Sequence, residues 1–150
     1  LIIMKYKSVV VFDIDGTLAD VTHRQHFVKG KKKNWHGFNQ AMINDTPNTA
    51  IVALYKALWD KYYLIIASGR ADNYRSQTEE WFKKWQIPVN EIHMRNFGDY
   101  RADDIIKEEI LHQLQNKGYQ IQFVVDDRDS VVAMWRKNGI TCLQCNYGDF

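Results

Sequence analysis

The stretch Val9-Val10-Val11-Phe12-Asp13-Ile14-Asp15-Gly16-Thr17 decides the fold. Apolar residues follow one another without alternation from Val9 to Phe12, as expected of a strand covered on both faces in a parallel sheet. Four more apolar runs of strand length lie at 63–67, 91–94, 120–125 and 140–144, besides the first at 8–12. Between them fall helical patterns. Residues 48–59 carry Ile51, Val52, Leu54, Tyr55 and Leu58 at helical spacing, entered through Thr46-Pro47-Asn48. The segments 72–85, 103–116 and 129–138 follow the same logic, and the last two stop at Lys117-Gly118 and Asn138-Gly139. Strands alternating with helices predict an α/β fold: a doubly wound, Rossmann-like parallel sheet of about five strands with helices on both faces.

Composition agrees with one domain over 1–150. The chain has 150 residues, 45% hydrophobic and 25% charged, close to the globular average, which argues against a disordered tail or a coiled coil. A chain this long buries roughly 70% of its unfolded surface, so no disulfide or structural metal is needed to staple it. The formal charge of +2 is too small to imply nucleic acid by itself. No run approaches the ~20 apolar residues of a membrane span, and nothing resembles a signal peptide. A soluble, cytoplasmic protein with no membrane partner is expected. Cys142 and Cys145 sit in a late strand-like stretch and read as two buried or half-buried thiols rather than a redox or zinc pair. Leu1-Ile2-Ile3 precede Met4, which suggests an upstream start or added residues, and they carry no functional weight.

The chemistry gathers where strands end. Asp13 and Asp15 follow the first strand directly, at the carboxyl edge where α/β sheets bind ligands. On an extended backbone they point the same way, and Gly16-Thr17 permits a tight turn whose amides can hold a phosphoryl oxygen. One carboxylate can attack phosphorus while the other protonates the leaving oxygen and later activates water, giving an aspartyl-phosphate intermediate. The second strand ends at Ser68-Gly69-Arg70, a hydroxyl, a small residue and a guanidinium, all suited to phosphate, although Ser68 also fits a helix cap. Lys107 lies in an early turn of the helix opened by Asp103-Asp104, where a point charge can offset phosphate. Asp126-Asp127 closes the fourth strand. Adjacent acids must repel or share a cation, and Mg²⁺ suits oxygen ligands.

Segment 20–45 breaks the rhythm and predicts a small cap or lid, with residues 38–42 helical. It holds His23, Arg24, His26, Lys29, Lys31, Lys32, Lys33, Trp35, His36 and Phe38. Such a loop either faces a phosphate-rich substrate with its cations and rings or is a solvated surface. His23 and His26, without nearby carboxylates in sequence, read as lid-surface residues rather than a metal pair. Trp81, Trp85 and Trp135 read as core, and Tyr100 and Arg101 as residues bordering the pocket.

Strand-DxDGT, strand-SGR, a helical Lys and strand-DD, in that order, resemble the haloacid dehalogenase (HAD) superfamily of phosphotransferases. The resemblance covers nearly the whole chain and implies Asp13 as nucleophile, Asp15 as general acid/base, Ser68 as phosphoryl holder and Lys107 as charge stabiliser. Asp126 and Asp127 would hold Mg²⁺ with Asp13 and the backbone carbonyl of Asp15. Within that superfamily, residues 12–19, 68–70, 98–110, 126–128 and 131–136 are similar to the 3′-phosphatase domain of bacteriophage-type polynucleotide kinase/phosphatase. That likeness adds Arg24 and Arg70 as functional arginines and Asp103 as the residue orienting Lys107 or the backbone beside the phosphate.

The expected function is therefore removal of 3′-phosphates from polynucleotide ends in nucleic-acid repair, with a separate kinase or ligase as possible associate. The alternative substrate is a nucleoside monophosphate or another small phosphate ester. No G-x-x-x-x-G-K-[ST] loop occurs, so no kinase activity is expected. A phosphoacceptor signalling domain uses similar residues, but it would put the acidic pair first and would lack an acid two residues beyond the acceptor. A non-catalytic binder of nucleic-acid ends fits less well, because every catalytic position is filled.

Overall fold

The computed structural model describes residues 7–150, and Leu1, Ile2, Ile3 and Met4 lie outside the described residues. Strand β1 (Lys7–Phe12) is the centre, with Val9, Val10, Val11 and Phe12 all at 0% exposure, as their unbroken apolar run requires. A two-stranded antiparallel pair, β2 (Ala19–Asp20) and β3 (Thr46–Pro47), brackets the lid. After helix α1 (Trp35–Gln40) in the lid and α2 (Thr49–Leu58) come β4 (Tyr63–Ala71), α3 (Arg75–Lys84) and β5 (Glu91–Arg95). Helix α4 (Asp103–Asn116), β6 (Tyr119–Asp126), α5 (Asp129–Lys137) and β7 (Cys142–Gln144) complete the chain.

The main sheet runs β5-β4-β1-β6-β7, and each neighbouring pair is parallel. Val9 and Val11 of β1 pack with Ile106, Ile110 and Leu111 of α4 and with Trp135 of α5. Val10 and Phe12 point the other way, against Val52 and Tyr55 of α2 and Trp81 of α3. Helices thus cover both faces. Connections leave β1 toward β4 on one side and are completed at β6 on the other, so the chain reverses its winding between β1 and β6. A crevice at the carboxyl ends of those two strands is where such sheets bind ligands. Among the described residues, no helix is long and apolar enough to cross a membrane.

Boundaries differ from expectation in three places. Strand β4 continues through Ser68-Gly69-Arg70 to Ala71, with an irregular register against β5 between Ser68 and Ala71. An apolar-run criterion stops at the first polar residue, whereas pairing continues through it. Strand β7 starts at Cys142 rather than 140, because the Ile140 amide instead closes the end of α5 on the Trp135 carbonyl at 3.0 Å. Helix α3 is preceded by a 3₁₀ turn at Asp72–Tyr74. The lid is helical and short-pieced: a 3₁₀ turn at Thr22–Phe27, α1, and a second 3₁₀ turn at Ala41–Asn44. Asn34 starts α1 by accepting the Gly37 amide at 2.9 Å, and Met42, 1% exposed, pins the lid to the body.

Candidate active site

Asp13 leaves β1 with its amide donating to the Val125 carbonyl at 3.0 Å, so the ends of β1 and β6 are held together at the switch point. Asp13 and Asp126 are consequently neighbours, and buried Lys107 reaches them from the first turns of α4. Its Nζ donates to Asp13 Oδ1 at 2.9 Å and to Asp126 Oδ2 at 2.8 Å. Burial works against the ammonium, but the two carboxylates outweigh it and hold the Lys107 pKa above its ordinary value. Asp13 is raised well above the carboxylate range, first by burial and then by Asp126, with Lys107 opposing.

Gly16 has φ +77°, a left-handed conformation that favours glycine, and its Cα faces Asp127 so closely that a Cβ would lie 2.1 Å from Asp127 Oδ2. Thr17 Oγ1 lies 3.3 Å from Asp13 Oδ2 and 3.5 Å from Asp127 Oδ1. One oxygen each of Asp13, Asp126 and Asp127 fall within 4.8 Å of one another. Among the described residues Asp127 has no cationic side-chain partner, and burial, then Asp126, push its pKa up to about 6. Three carboxylates facing one ammonium leave charge that a divalent cation would relieve, and the all-oxygen donor set suits Mg²⁺. The Asp15 carboxylate is outside this group.

It is clamped instead by two guanidiniums. Arg70 donates to it from Nε at 3.1 and 3.2 Å and from Nη2 at 2.6 Å, and Arg24 donates from Nη2 at 2.7 Å. Burial would raise the Asp15 pKa, yet Arg70 and then Arg24 hold it well below the usual range. Arg24, 0% exposed, also makes a two-pronged contact with buried Asp45, Nε to Oδ1 and Nη2 to Oδ2, both 2.8 Å. Arg70 reaches Asp45 Oδ2 at 3.3 Å and Thr78 Oγ1 at 3.1 Å. Asp45 is thus the lid's keystone, and nothing in its local sequence signalled it. His23 is exposed at the lid surface as expected, and its Nε2 also meets Asp45 Oδ1 at 2.7 Å, because that carboxylate comes from the far end of the same loop.

Ser68 is fully buried, and its Oγ accepts the Arg70 amide at 3.1 Å, leaving the hydroxyl hydrogen to donate elsewhere. Asp103 does not touch Lys107. Its carboxylate accepts from Arg95 Nη2, sits 3.4 Å from Arg128 Nη1, and packs on Gly69, where a Cβ would come within 2.5 Å of Oδ1. Its nearest backbone is therefore that beside Ser68, while its charge still acts on Lys107 through space. Arg95 further braces this corner by donating from Nε to the Gly69 carbonyl at 2.8 Å. Tyr100 is exposed, and Arg101 is engaged with Asp99 and Glu109. Trp81 and Trp135 are core residues, and Trp81 Nε1 also donates to the Asp45 carbonyl at 2.8 Å. Cys142 is buried, and half-buried Cys145 lies 3.6 Å from Thr17 Oγ1; both are free thiols.

The sequence profile of the polynucleotide kinase PNKP phosphatase domain matches residues 7–150. A protein of Autographa californica nuclear polyhedrosis virus, assigned as a bifunctional polynucleotide kinase/RNA ligase, is 27% identical over 135 residues. The match takes in 88% of this chain and 18% of the viral protein. A chain in the Pnkp1/Rnl/Hen1 RNA repair complex superposes with TM-score 0.84 at 34% identity, covering 97% of this chain and 44% of that one. A second structure of a Pnkp1/Rnl/Hen1 complex gives 0.83 and 35%, over 98% and 48%. A haloacid dehalogenase-like hydrolase of Streptococcus pneumoniae shares the fold at TM-score 0.63 and 16% identity, over 92% and 84%. This chain therefore spans less than half of the viral and repair-complex proteins it matches.

Proposed function

This chain belongs to the polynucleotide kinase PNKP phosphatase domain family, a HAD phosphatase fold, and from that premise we propose that residues 1–150 act as one Mg²⁺-dependent 3′-phosphatase of polynucleotide ends, with 20–45 as its cap. The observation that carries the reading is the pairing of Asp13 with Lys107 at the end of β1, two residues before a second carboxylate, Asp15, that is held by Arg70 and Arg24 instead. An ammonium beside Asp13 and two guanidiniums on Asp15 give the two carboxylates different surroundings, and with them different tasks.

In the proposed reaction an Asp13 carboxylate oxygen attacks phosphorus and the bond to the ribose 3′-oxygen breaks. That oxygen leaves with a proton, and Asp13 carries the phosphoryl group as an acyl phosphate. Water then attacks phosphorus, the acyl-phosphate bond breaks, inorganic phosphate leaves and Asp13 is restored. Lys107 stays protonated throughout and offsets charge on Asp13 and the transferring group. Ser68 donates its hydroxyl to a phosphoryl oxygen, whereas the Gly16 and Thr17 amides, expected to do the same, already donate to the Ala19 and Ile14 carbonyls at 2.9 and 3.1 Å and close the turn instead. Asp15 serves both half-reactions as proton carrier. Clamped by Arg70 and Arg24 it is ionised, the form that accepts a proton from water. Its acid role requires substrate phosphate to draw those guanidiniums away first, which gives Arg24 and Arg70 a place in phosphate binding. Asp13, Asp126 and Asp127, with the Asp15 backbone carbonyl, would hold Mg²⁺, which supplies charge neutralisation to the phosphoryl oxygens when bound. An enzyme that heals ends fits association with a kinase or ligase that acts on the same ends.

The test is phosphate release with Mg²⁺ from a 3′-phosphorylated oligonucleotide, a nucleoside 3′-monophosphate and a nucleoside 5′-monophosphate, with Asp13→Asn and Lys107→Met beside the wild type. Preference for the oligonucleotide, with both variants inactive, is expected. Preference for a 5′-mononucleotide would replace the substrate by a small phosphate ester, and turnover by Asp13→Asn would overturn the covalent route.

A further inference from the structure

The charge of the lid is segregated. Between Val21 and Asn44 there is no Asp or Glu, while Lys29, Lys31, Lys32 and Lys33 are all exposed and none is paired with a carboxylate among the described residues. Elsewhere the surface mixes its signs: Arg101 pairs with Asp99 and Glu109, Arg75 with Glu79 and Lys137 with Glu108, although among the described residues the exposed Lys56, Lys61, Lys83 and Lys84 are in no ion pair either. A solvated face would be expected to mix its signs in the same way.

A line of ring contacts leads from this run of lysines into the active site. Lys33 Nζ lies 5.9 Å from the centre of the Trp35 indole, which is 55% exposed. Trp35 meets Phe38 edge to face at 5.7 Å between ring centres. The Arg24 guanidinium stands over the Phe38 ring at 4.3 Å, and the same guanidinium donates to Asp15 at 2.7 Å. The exposed rings Phe97 and Tyr100, in the loop after β5, neighbour Asp99 and Arg101 in sequence, whose charges are already paired and offer nothing to a phosphodiester backbone.

We propose that Trp35, Phe38 and the four lysines form the docking track for the single-stranded stretch that precedes the terminal phosphate, with a base stacked on Trp35 and backbone phosphates along Lys29, Lys31, Lys32 and Lys33. The track rests on the polynucleotide reading of the active site and says which surface makes that reading work. Phosphate neutralisation supplies sequence-independent affinity, and an exposed indole accepts any base. A mononucleotide reaches only the catalytic end of the line.

The experiment is fluorescence anisotropy of a labelled, unphosphorylated single-stranded decanucleotide on the full 150-residue chain across a salt series, beside turnover of the same oligomer carrying a 3′-phosphate and of a nucleoside 3′-monophosphate. Four phosphate contacts on a single strand predict a slope of log affinity against log salt of about −2.8. The quadruple variant Lys29→Ser, Lys31→Ser, Lys32→Ser, Lys33→Ser should bring that slope close to zero. Trp35→Ala should weaken binding about 5- to 10-fold and leave the slope unchanged. In both, KM for the oligonucleotide should rise while turnover of the mononucleotide changes less than about 2-fold. Variants that bind the decanucleotide as the wild type does, a flat wild-type salt series, or loss of mononucleotide turnover in step with the oligonucleotide would each overturn the track. If the variants lose decanucleotide binding as expected but the wild type hydrolyses a 5′-mononucleotide best, the docking surface stands and the 3′-end reading of the active site fails.

Discussion

Replacing Asp45 by Asn should destabilise the protein by about 3 kcal/mol. Asp45 and Arg24 are both 0% exposed and joined by two 2.8 Å bonds, and Arg70 adds a third contact at 3.3 Å. An amide keeps one oxygen for one guanidinium prong but turns an N–H₂ toward the other, and the negative charge is gone. Hydrogen bonds to charged groups contribute about 1.5–3 kcal/mol each. Breaking a buried ion pair from one side costs about 3–5 kcal/mol, and the low end applies because Asp15 remains as a second carboxylate for Arg24. With a urea slope of about 2 kcal/mol per molar, the unfolding midpoint should fall by about 1.5 M. Equilibrium urea unfolding followed by tryptophan fluorescence measures it, since Trp81 bonds the Asp45 carbonyl and reports this corner. The double variant Arg24→Met, Asp45→Asn should recover about 1 kcal/mol, because the charge left uncompensated is removed with its partner. A midpoint shift under about 0.3 M for Asp45→Asn would refute the reasoning.

Asp127→Asn removes a buried carboxylate crowded by Asp126 and in no ion pair of its own, so in EDTA at pH 7.5 the variant should melt about 3 °C above the wild type, and Mg²⁺ should stabilise only the wild type. A lower melting temperature in EDTA would show that Asp127 is already compensated. Gly16→Ala forces a side chain into φ +77° and to within 2.1 Å of Asp127 Oδ2, so activity should fall by at least about tenfold at a stability cost of about 1–2 kcal/mol; wild-type kinetics would mean the turn does not shape the site. At the other end of the sheet, burial pushes Glu91 up but hydrogen bonds from Tyr119, His93 and Tyr63 outweigh it and hold its pKa at about 2. A folded pKa below the unfolded one contributes stability above the ordinary value of 4.5 that is lost as pH falls through 2. Glu91→Gln should therefore cost about 1–2 kcal/mol at pH 7, with the gap narrowing below pH 4.5 in denaturant titrations; a gap independent of pH would mean the carboxylate charge is not what those donors hold.

Most of the candidate site residues were legible because they follow directly on strand ends. Val9 to Phe12 announced a strand buried on both faces, and the polar residues that follow each such strand must emerge at the same edge of a parallel sheet. Asp13, Ser68 and Asp126 therefore stood out as candidates at strand ends, whereas Lys107, on helix α4, and the roles expected of all four came from the likeness to the haloacid dehalogenase motifs. The lid was legible only as an exception to the rhythm, and its helical pieces were foreseen without their partners.

Asp45 illustrates the limit. In sequence it is one acid after a 3₁₀ turn, 21 residues from Arg24 and 25 from Arg70. Only the folding of the lid back onto β4 makes it the shared counter-ion of both arginines. The neighbours of Asp103 and His23 follow likewise from which side chains the tertiary fold left within 3–4 Å. Periodicity and strand-end chemistry are properties of neighbours along the chain, so the sequence by itself determined the sheet, its covered strands and the motif carboxylates. Ion-pair partners across a long loop, and the charge state they impose on Asp15, depend on distances in space, and those only the tertiary structure decided.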